Sequence, residues 1–154
     1  MIKRLYLNDI KTVKDILDLQ LVSYKIEADI IGFYEIPTLK DTVSTLKNCG
    51  EVFYGYFIEE VLAGIISYKI EDNILDIHRL AVHPSFFKRG IARQLLCSVE
   101  EYNYNISKVI VSTGKENNPA VELYLKMGYK KIEDVQVEKE FYLTSFSKNF
   151  TTLH

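Results

Sequence analysis

Three basic residues surround one glycine in the segment FFKRGIARQLL, residues 86–96. Lys88, Arg89 and Arg93 flank Gly90 where a strand-like run gives way to a helix-like one. The first turn of a helix has free N–H groups and partial positive charge, so it ordinarily favours acidic side chains or anions. Cations at this place are consistent with a bound polyanion such as a phosphate group. The alternative is a solvated basic helix start with a turn glycine.

A second segment, ENNPAVELYLKMGY at 116–129, has helical spacing. Asn117, Ala120 and Tyr124 are separated by three and four positions, so they share one helix face. A tyrosine in this position either presents its hydroxyl to a site or packs with the hydroxyl at the rim of the core.

The strand-like segment DIHRLAV contains an aspartate and a histidine among apolar residues. Strict alternation predicts one face with Asp76, His78, Leu80 and Val82, and another with Ile77, Arg79 and Ala81. Asp76 and His78 then either hydrogen-bond to each other at a sheet edge or face a cleft, where they accept a proton.

The composition indicates one globular domain. The chain has 154 residues, a hydrophobic fraction of 47% and a formal net charge of −2, which argues against a nucleic-acid-binding protein. Cys49 and Cys97 lack metal-ligand spacing, so we expect reduced thiols and no metal. No apolar run approaches the roughly 18 residues of a membrane span, and no signal-peptide core follows Met1. We therefore expect a cytoplasmic protein without a membrane partner.

The periodicity of the first fifty residues predicts a strand at 2–7 and a helix capped by Asp9. The apolar positions assigned to this helix are Ile10, Val13, Leu17 and Leu21. Residues 27–39 lack clear periodicity and are interpreted as a loop or broken helix. A short helix is predicted at 40–48.

The remainder predicts a meander followed by alternating strands and helices. Strands are expected at 51–58, 61–70, 74–82 and 108–113, helices at 90–103 and 119–127, and further strands after residue 129. Short turns predict antiparallel pairing of the first three strands. Asn118 is the expected N-cap of the last helix and Gly128 its C-terminal stop. The predicted fold class is a mixed α/β domain.

Together, the three segments resemble the GNAT superfamily of N-acetyltransferases. The sequences LAVHP (80–84) and FKRGIA (87–92) resemble the family patterns L-x-V-x-P and Q/R-x-x-G-x-G/A. The sequence NNPAVELYLKMGY (117–129) resembles N-x-x-A-x-x-L-Y-x-K-x-G-F/Y without a gap. The resemblance covers residues 50–130 well, whereas residues 1–49 fit only the expected layout.

The resemblance implies a mostly antiparallel central sheet flanked by helices, in one domain spanning 1–154, with acetyl-CoA as co-substrate. The implied cofactor-binding residues are Leu80, Ala81 and Val82 for the pantetheine arm, Lys88, Arg89, Gly90, Ile91, Ala92 and Arg93 for the pyrophosphate, and Asn117 for the CoA arm. Phe87 departs from the family pattern because Gln or Arg usually stands there. The three neighbouring cations are expected to compensate, since main-chain N–H groups make most phosphate contacts in this turn.

The resemblance also implies catalytic roles. Tyr124 matches the family's usual general acid for the departing thiolate, although a hydroxyl that only orients the sulfur is an alternative. Asp76 matches a carboxylate base of some histone-type members, and His78 is the other candidate base. A main-chain N–H near Leu80–Val82 is expected to stabilise the oxyanion.

The leading functional hypothesis is transfer of an acetyl group to a primary amine of a small molecule or peptide. A non-catalytic acyl-CoA sensor is the alternative, and a nucleotide-binding protein is disfavoured by the lack of Walker and Rossmann patterns. Acidic and aromatic residues at 27–36 suit a cationic or aromatic-bearing amine, or form an ordinary solvated loop. The segment EFYLTSFSKNF either closes the sheet or pairs across a homodimer.

Overall fold

The computed structural model describes residues 1–139 and 141–150. Within them, one seven-stranded sheet has the order β1-β2-β3-β4-β5-β7-β6. The strands are β1 (Ile2–Leu5), β2 (Val52–Ile58), β3 (Val61–Glu71), β4 (Ile74–Val82), β5 (Lys108–Gly114), β6 (Lys130–Glu138) and β7 (Phe141–Asn149). The helices are α1 (Ile10–Ile31), α2 (Val43–Lys47), α3 (Ile91–Tyr102) and α4 (Asn118–Lys126), with 3₁₀ turns at Pro37–Lys40 and Pro84–Phe86.

The predicted mixed α/β architecture is confirmed. The strands β2, β3 and β4 pair antiparallel, as the short turns between them predicted. Strand β7 lies between β5 and β6 and pairs antiparallel with both. The C-terminal strand β7 is therefore an internal strand of the sheet and not an edge strand.

The prediction for residues 27–39 is wrong at its start, because α1 continues to Ile31. The helix begins at its cap, where the Asp9 carboxylate accepts from the Lys11 N–H, and it ends at Gly32 in the left-handed region. The predicted buried face is also partly wrong, since Ile10 and Leu21 are exposed. The buried positions are Val13, Ile16, Leu19, Gln20, Tyr24 and Ala28.

Two apolar clusters hold the helices on opposite faces of the sheet. On one face, α3 and α4 pack through residues including Ile66, Leu75, Leu95, Val99 and Phe146. On the other, α1 and α2 pack through residues including Val13, Ile16, Leu46, Phe53 and Ile65. Burial of both faces is the main source of stability for the sheet. No helix among the described residues is both long and apolar enough to cross a membrane.

A β-bulge at His78 reverses the faces of β4. Tyr68 of β3 pairs with Ile77 and Ser67 pairs with Arg79, so His78 is an additional residue without a partner. Ile77, Leu80 and Val82 consequently belong to the α3 side, whereas Arg79 and Ala81 face α1. The predicted common face of Asp76, His78, Leu80 and Val82 is therefore wrong, because strict alternation fails across an extra residue.

Arg79 enters the interior beneath α1 and is held by three polar side chains. Its Nε donates to Glu51 at 3.0 Å, and its Nη1 donates to Gln20 at 2.7 Å and to Asp41. Only 7% of the residue is exposed. A buried charge needs such partners, because leaving water is costly for an ion without compensation.

The two acidic partners of Arg79 have lowered pKa values. Burial acts to raise the pKa of Asp41, but hydrogen bonds from Gln20 and Arg79 outweigh it and lower that pKa. Burial likewise opposes ionisation of Glu51, and hydrogen bonds from Arg79 and Ser67 lower its pKa. Ionisation of both carboxyls is thus linked to folding.

The parallel pairing of β4 with β5 is short. It joins Ile74 to Lys108, Leu75 to Val109 and Asp76 to Ile110, and then ends. Beyond these pairs β4 continues with β3 alone on its other side, and β5 continues with β7. The two central strands therefore diverge and leave a cleft between them.

Replacing Arg79 by Met should destabilise the fold by about 3–5 kcal/mol, because Glu51 and Asp41 lose their buried counter-ion. Because a lowered pKa adds stability only while the carboxyl is ionised, the deficit should be full above the ordinary carboxyl pKa of about 4. It should shrink as the pH falls below that value. Urea unfolding at several pH values measures both effects.

The matched control is Lys11→Met, which removes an exposed partner of Asp15 on α1. This variant should unfold close to wild type at every pH, since exposed ion pairs contribute little. An Arg79→Met deficit that stays constant down to acidic pH would contradict the proposed linkage.

Candidate active site

The cleft between β4 and β5 has a volume of about 690 Å³. Its walls come from β4 and β5, from the turn before α3 and from the facing sides of α1 and α4. The strands can diverge here because each keeps a pairing partner on its other side, so their outer hydrogen bonds are retained. The opening therefore exposes main-chain groups along the β5 side of β4.

The turn before α3 forms the polar end of this cleft. Lys88 and Gly90 both adopt left-handed backbone conformations, with φ of 65° and 74°. Gly90 is the N-cap of α3 and has no side chain to accept from the first-turn N–H groups. A Cβ added at Gly90 would meet nothing nearer than Gln94, at 4.0 Å. Free N–H groups and open space together suit a bound anion.

Most residues predicted for cofactor binding line this cleft, with one exception. The residues that line it are Leu80, Ala81, Val82, Lys88, Gly90, Ile91, Ala92, Arg93 and Asn117. Arg89 is not among them, and its guanidinium lies over the Phe86 ring at 5.3 Å. Phe87, the departure from the family pattern, also lines the cleft. Lys88 and Arg93 are therefore the side-chain cations of the turn that face the cleft.

The main-chain donor at Leu80 already has a partner. The Leu80 N–H donates to the hydroxyl of Tyr24, which lies on α1, at 3.2 Å. Tyr24 is buried, and burial raises the pKa of its phenol. Sequence reasoning missed Tyr24 because its helix matches no motif.

Tyr124 lies on α4 and lines the cleft, and its ring packs in a cluster of aromatic rings. Its ring packs against Tyr129 and Phe146, with centroids 5.9 and 5.5 Å away. Burial raises the pKa of the Tyr124 phenol, and the negative charge of Glu27 raises it further. The hydroxyl is thus a weaker acid than ordinary phenol, which favours a hydrogen-bonding role over free proton release.

Asn117 fixes the position of Glu27. Its Oδ1 caps α4 by accepting from the Ala120 N–H at 3.4 Å, so Asn117 rather than the predicted Asn118 is the N-cap. Its Nδ2 donates to Glu27 Oε1 at 2.8 Å and to Thr113 at 3.2 Å. Both Nδ2 donors are therefore engaged within the protein.

The two candidate bases, Asp76 and His78, lie close together but do not share a hydrogen bond. His78 Nε2 is 3.6 Å from an Asp76 oxygen, and Nδ1 is 3.7 Å from a Glu51 oxygen. Burial raises the pKa of Asp76, while His78 acts in the opposite direction. His78 lines the cleft and Asp76 does not.

A second cavity of about 780 Å³ adjoins the cleft on the side of β7. Four carboxylates line it, from Glu27, Glu35, Glu51 and Glu138. Its lysine and its arginine are ion-paired, Lys40 with Glu35 and Arg79 with Glu51 and Asp41. The Phe33 and Phe141 rings also line it and stack with centroids 4.0 Å apart. The cavity thus combines negative charge with an aromatic wall.

The two cavities meet at six residues that line both, namely Tyr24, Glu27, His78, Arg79, Ser112 and Thr113. Sequence reasoning had named His78 among them, and had noted Glu27 only as part of an acidic segment. The available signal was the three-residue spacing of Tyr24 and Glu27, which places both on one face of a helix. Using this signal required knowing that α1 continues past Glu27. An anionic ligand in one cavity and a cationic one in the other would meet here.

Comparison with known proteins identifies the family. The chain is 38% identical over 146 residues to UPF0157 protein YqkA of Bacillus subtilis (strain 168), covering 95% of this chain but 43% of that protein. Its fold matches PaiA N-acetyltransferase from Thermoplasma acidophilum, solved in complex with coenzyme A, at a TM-score of 0.77 and 19% identity, covering 97% and 98% of the two chains.

The ribosomal-protein-S18-alanine N-acetyltransferase from Escherichia coli matches at a TM-score of 0.79 and 10% identity, covering 100% of this chain and 96% of that one. Identities this low show a shared fold, and they confirm the expected sheet architecture. The profile of the acetyltransferase (GNAT) family matches residues 13–129, most of the chain including α1, the turn at Gly90 and Tyr124. The chain belongs to the acetyltransferase (GNAT) family.

Proposed function

We propose that this chain transfers the acetyl group of acetyl-CoA to a primary amine of a small molecule or peptide. The observation that carries the proposal is the junction of two cavities of opposite electrostatic character, which both include Glu27, with Tyr124 lining the first of them. One cavity ends in a cradle of free N–H groups flanked by Lys88 and Arg93. The other is lined by carboxylates and suits a protonated amine.

The residues of the cleft fit acetyl-CoA as co-substrate. The turn from Lys88 to Arg93 would hold the pyrophosphate through its N–H groups, with two cations facing the cleft. The diverging edge of β4 offers main-chain groups to the amides of the pantetheine arm. Coenzyme A supplies an activated thioester, and the chain supplies position and proton transfer.

The acceptor reacts as a free amine, although an alkyl ammonium has a reference pKa of about 10.4 and arrives protonated. The nitrogen attacks the thioester carbonyl, and a main-chain N–H of the Leu80–Val82 segment stabilises the oxyanion. Because Tyr24 occupies the Leu80 N–H, ligand and phenol compete for that donor. Tyr124 donates a hydrogen bond or a proton to the departing sulfur.

An acyl-CoA sensor without catalysis is the second candidate. Phe87 in the turn and the packing of Arg89 on Phe86 favour it, because both reduce side-chain contacts to the pyrophosphate. A thiol-release assay with acetyl-CoA and a panel of amines, polyamines, aminoglycosides and peptides separates the two candidates. Turnover with any amine supports the enzyme, and binding without turnover supports the sensor.

The remaining partner proposals concern assembly and other macromolecules. We expect no nucleic-acid or membrane partner. Within the described part of the chain, the edge strands through which a homodimer could pair are β6 and β1, since β7 has neighbours on both sides. Sedimentation of the purified chain at several concentrations tests this proposal.

Replacing Gly90 by Glu should nearly abolish binding of coenzyme A, because it puts a negative side chain at the N–H cradle. The control is Gly50→Glu, at a glycine with the same φ of 74° that adjoins Lys69 away from the cleft. Both variants carry the same backbone strain. Calorimetric titration with coenzyme A should show lost affinity for the first and wild-type affinity for the second; equal affinities would contradict the cradle.

Replacing Tyr124 by Phe should lower turnover by the ~10²–10⁴ typical of acid–base groups. Binding of acetyl-CoA should change little, because the ring still packs, so the loss lies in kcat. It should be smaller with an acyl donor whose thiol is more acidic. Steady-state kinetics with both donors measures the effect.

The control for this variant is Tyr129→Phe. Tyr129 packs in the same aromatic cluster, but its hydroxyl donates a hydrogen bond to Glu100 at 2.8 Å, and it does not line the cleft. Its loss should alter stability and leave turnover nearly unchanged. Full turnover of Tyr124→Phe would show that the Tyr124 hydroxyl has no role in the reaction.

A further inference from the structure

The junction between the two cavities holds few groups that can accept a proton. Arg79 is ion-paired, the Tyr24 phenol has its pKa raised by burial, and Ser112 and Thr113 carry only hydroxyls. Glu27 and His78 remain among the six residues that line both cavities. A proton acceptor for the attacking amine has to lie where acceptor and thioester meet.

Glu27 is held in place for such a role. Its Oε1 accepts from Asn117 at 2.8 Å and from Thr113 at 3.4 Å, which fixes the carboxylate across the gap between α1 and β5. Among the described residues, no side chain or main-chain group donates to Oε2. One oxygen therefore orients the group, and the other is available to a ligand.

The surroundings of Glu27 favour the uptake of a proton. Burial raises the pKa of its carboxyl, although the hydrogen bonds from Asn117 and Thr113 oppose this shift. Its charge acts on Tyr24 of α1 and on Tyr124 of α4, and His78 and Arg79 of β4 line the same two cavities. A raised pKa of the carboxyl is closer to the pKa of the amine, so proton transfer between them is less unfavourable.

His78 is the weaker candidate on position. Its side chain is 34% exposed, and its two ring nitrogens face the carboxylates of Asp76 and Glu51. By contrast, the charge of Glu27 raises the pKa of the Tyr124 phenol. Glu27 thus lies within electrostatic reach of the group that is proposed to meet the leaving sulfur.

We propose that Glu27 binds the cationic acceptor amine and takes the proton that the nitrogen must lose, a role that rests on the proposed function. One ammonium proton passes to the carboxylate and then to water. The nitrogen forms a bond to the carbonyl carbon, the carbon–sulfur bond breaks, and the sulfur leaves with its electron pair. The sulfur gains one proton from Tyr124, and the second N–H proton, which leaves the nitrogen as the amide forms, returns through water to the Tyr124 oxygen, so one proton is released overall.

The test compares Glu27→Gln with Glu35→Gln, using the intact chain and an amine that the wild type acetylates. Gln keeps an oxygen for Asn117 and removes the charge. Glu27→Gln should lower kcat/KM at least 100-fold, leave the affinity for coenzyme A within twofold, and abolish the acidic limb of the pH profile. That limb should lie above the ordinary glutamate pKa of about 4.3, because activity needs the ionised carboxylate and burial raises its pKa.

Glu35→Gln removes a carboxylate from the same cavity away from the junction, and it should keep the limb with less than a tenfold loss. Glu27→Ala provides a second readout, because added formate should restore part of its turnover. A structural role alone predicts no rescue. If Glu27→Gln does not fold, Glu27→Asp should show a reduced kcat with unchanged coenzyme A affinity.

Three outcomes overturn the inference. Glu27→Gln within threefold of wild type with the limb retained shows that the carboxylate is not the proton acceptor. Loss of the limb in His78→Gln, with Glu27→Gln still titrating, assigns the role to the imidazole. A wild-type protein that binds coenzyme A and acetylates no amine overturns the inference together with the proposed function, whereas the first two outcomes leave that function intact.

Discussion

The early end of the β4–β5 pairing is the constraint on which the rest of the structure depends. Once Asp76 has paired with Ile110, the two strands separate, and each keeps a partner only on its far side. Unpaired main-chain groups inside a protein need other partners. Here the Tyr24 hydroxyl satisfies one of them, and the remaining edge faces a cleft in which a ligand with its own amides can pair.

The bulge at His78 determines which side chains face that cleft. It turns Arg79 toward α1 and into a buried ion-pair network with Asp41 and Glu51, which fixes β4 to the loops on that side. The same reversal returns Leu80 and Val82 to the opposite cluster. The additional residue, His78, thus has two effects. It directs the Arg79 charge into the buried network that anchors the strand, and it presents its own imidazole at the junction of the two cavities.

Electrostatics divides the site into two halves. The turn at Gly90 offers N–H groups and cations. In the adjoining cavity the lysine and the arginine are ion-paired, and further carboxylates pair with neither of them. Glu27 lines both halves, and its charge raises the pKa of the Tyr124 phenol, which lines the first of them. A cationic ligand and an anionic ligand would be drawn to opposite ends and meet where the two cavities join.

The sequence by itself determined the features that depend on neighbouring residues. The three meander strands, the glycine turn before α3 and the helix of Tyr124 follow from short-range periodicity and capping, and the family resemblance follows from their order. The tertiary structure alone decided the length of α1, the bulge at His78, the insertion of β7 and the contact of Glu27 with Asn117, 90 residues apart. These features arise from strand register and from packing between distant segments, which no local pattern specifies.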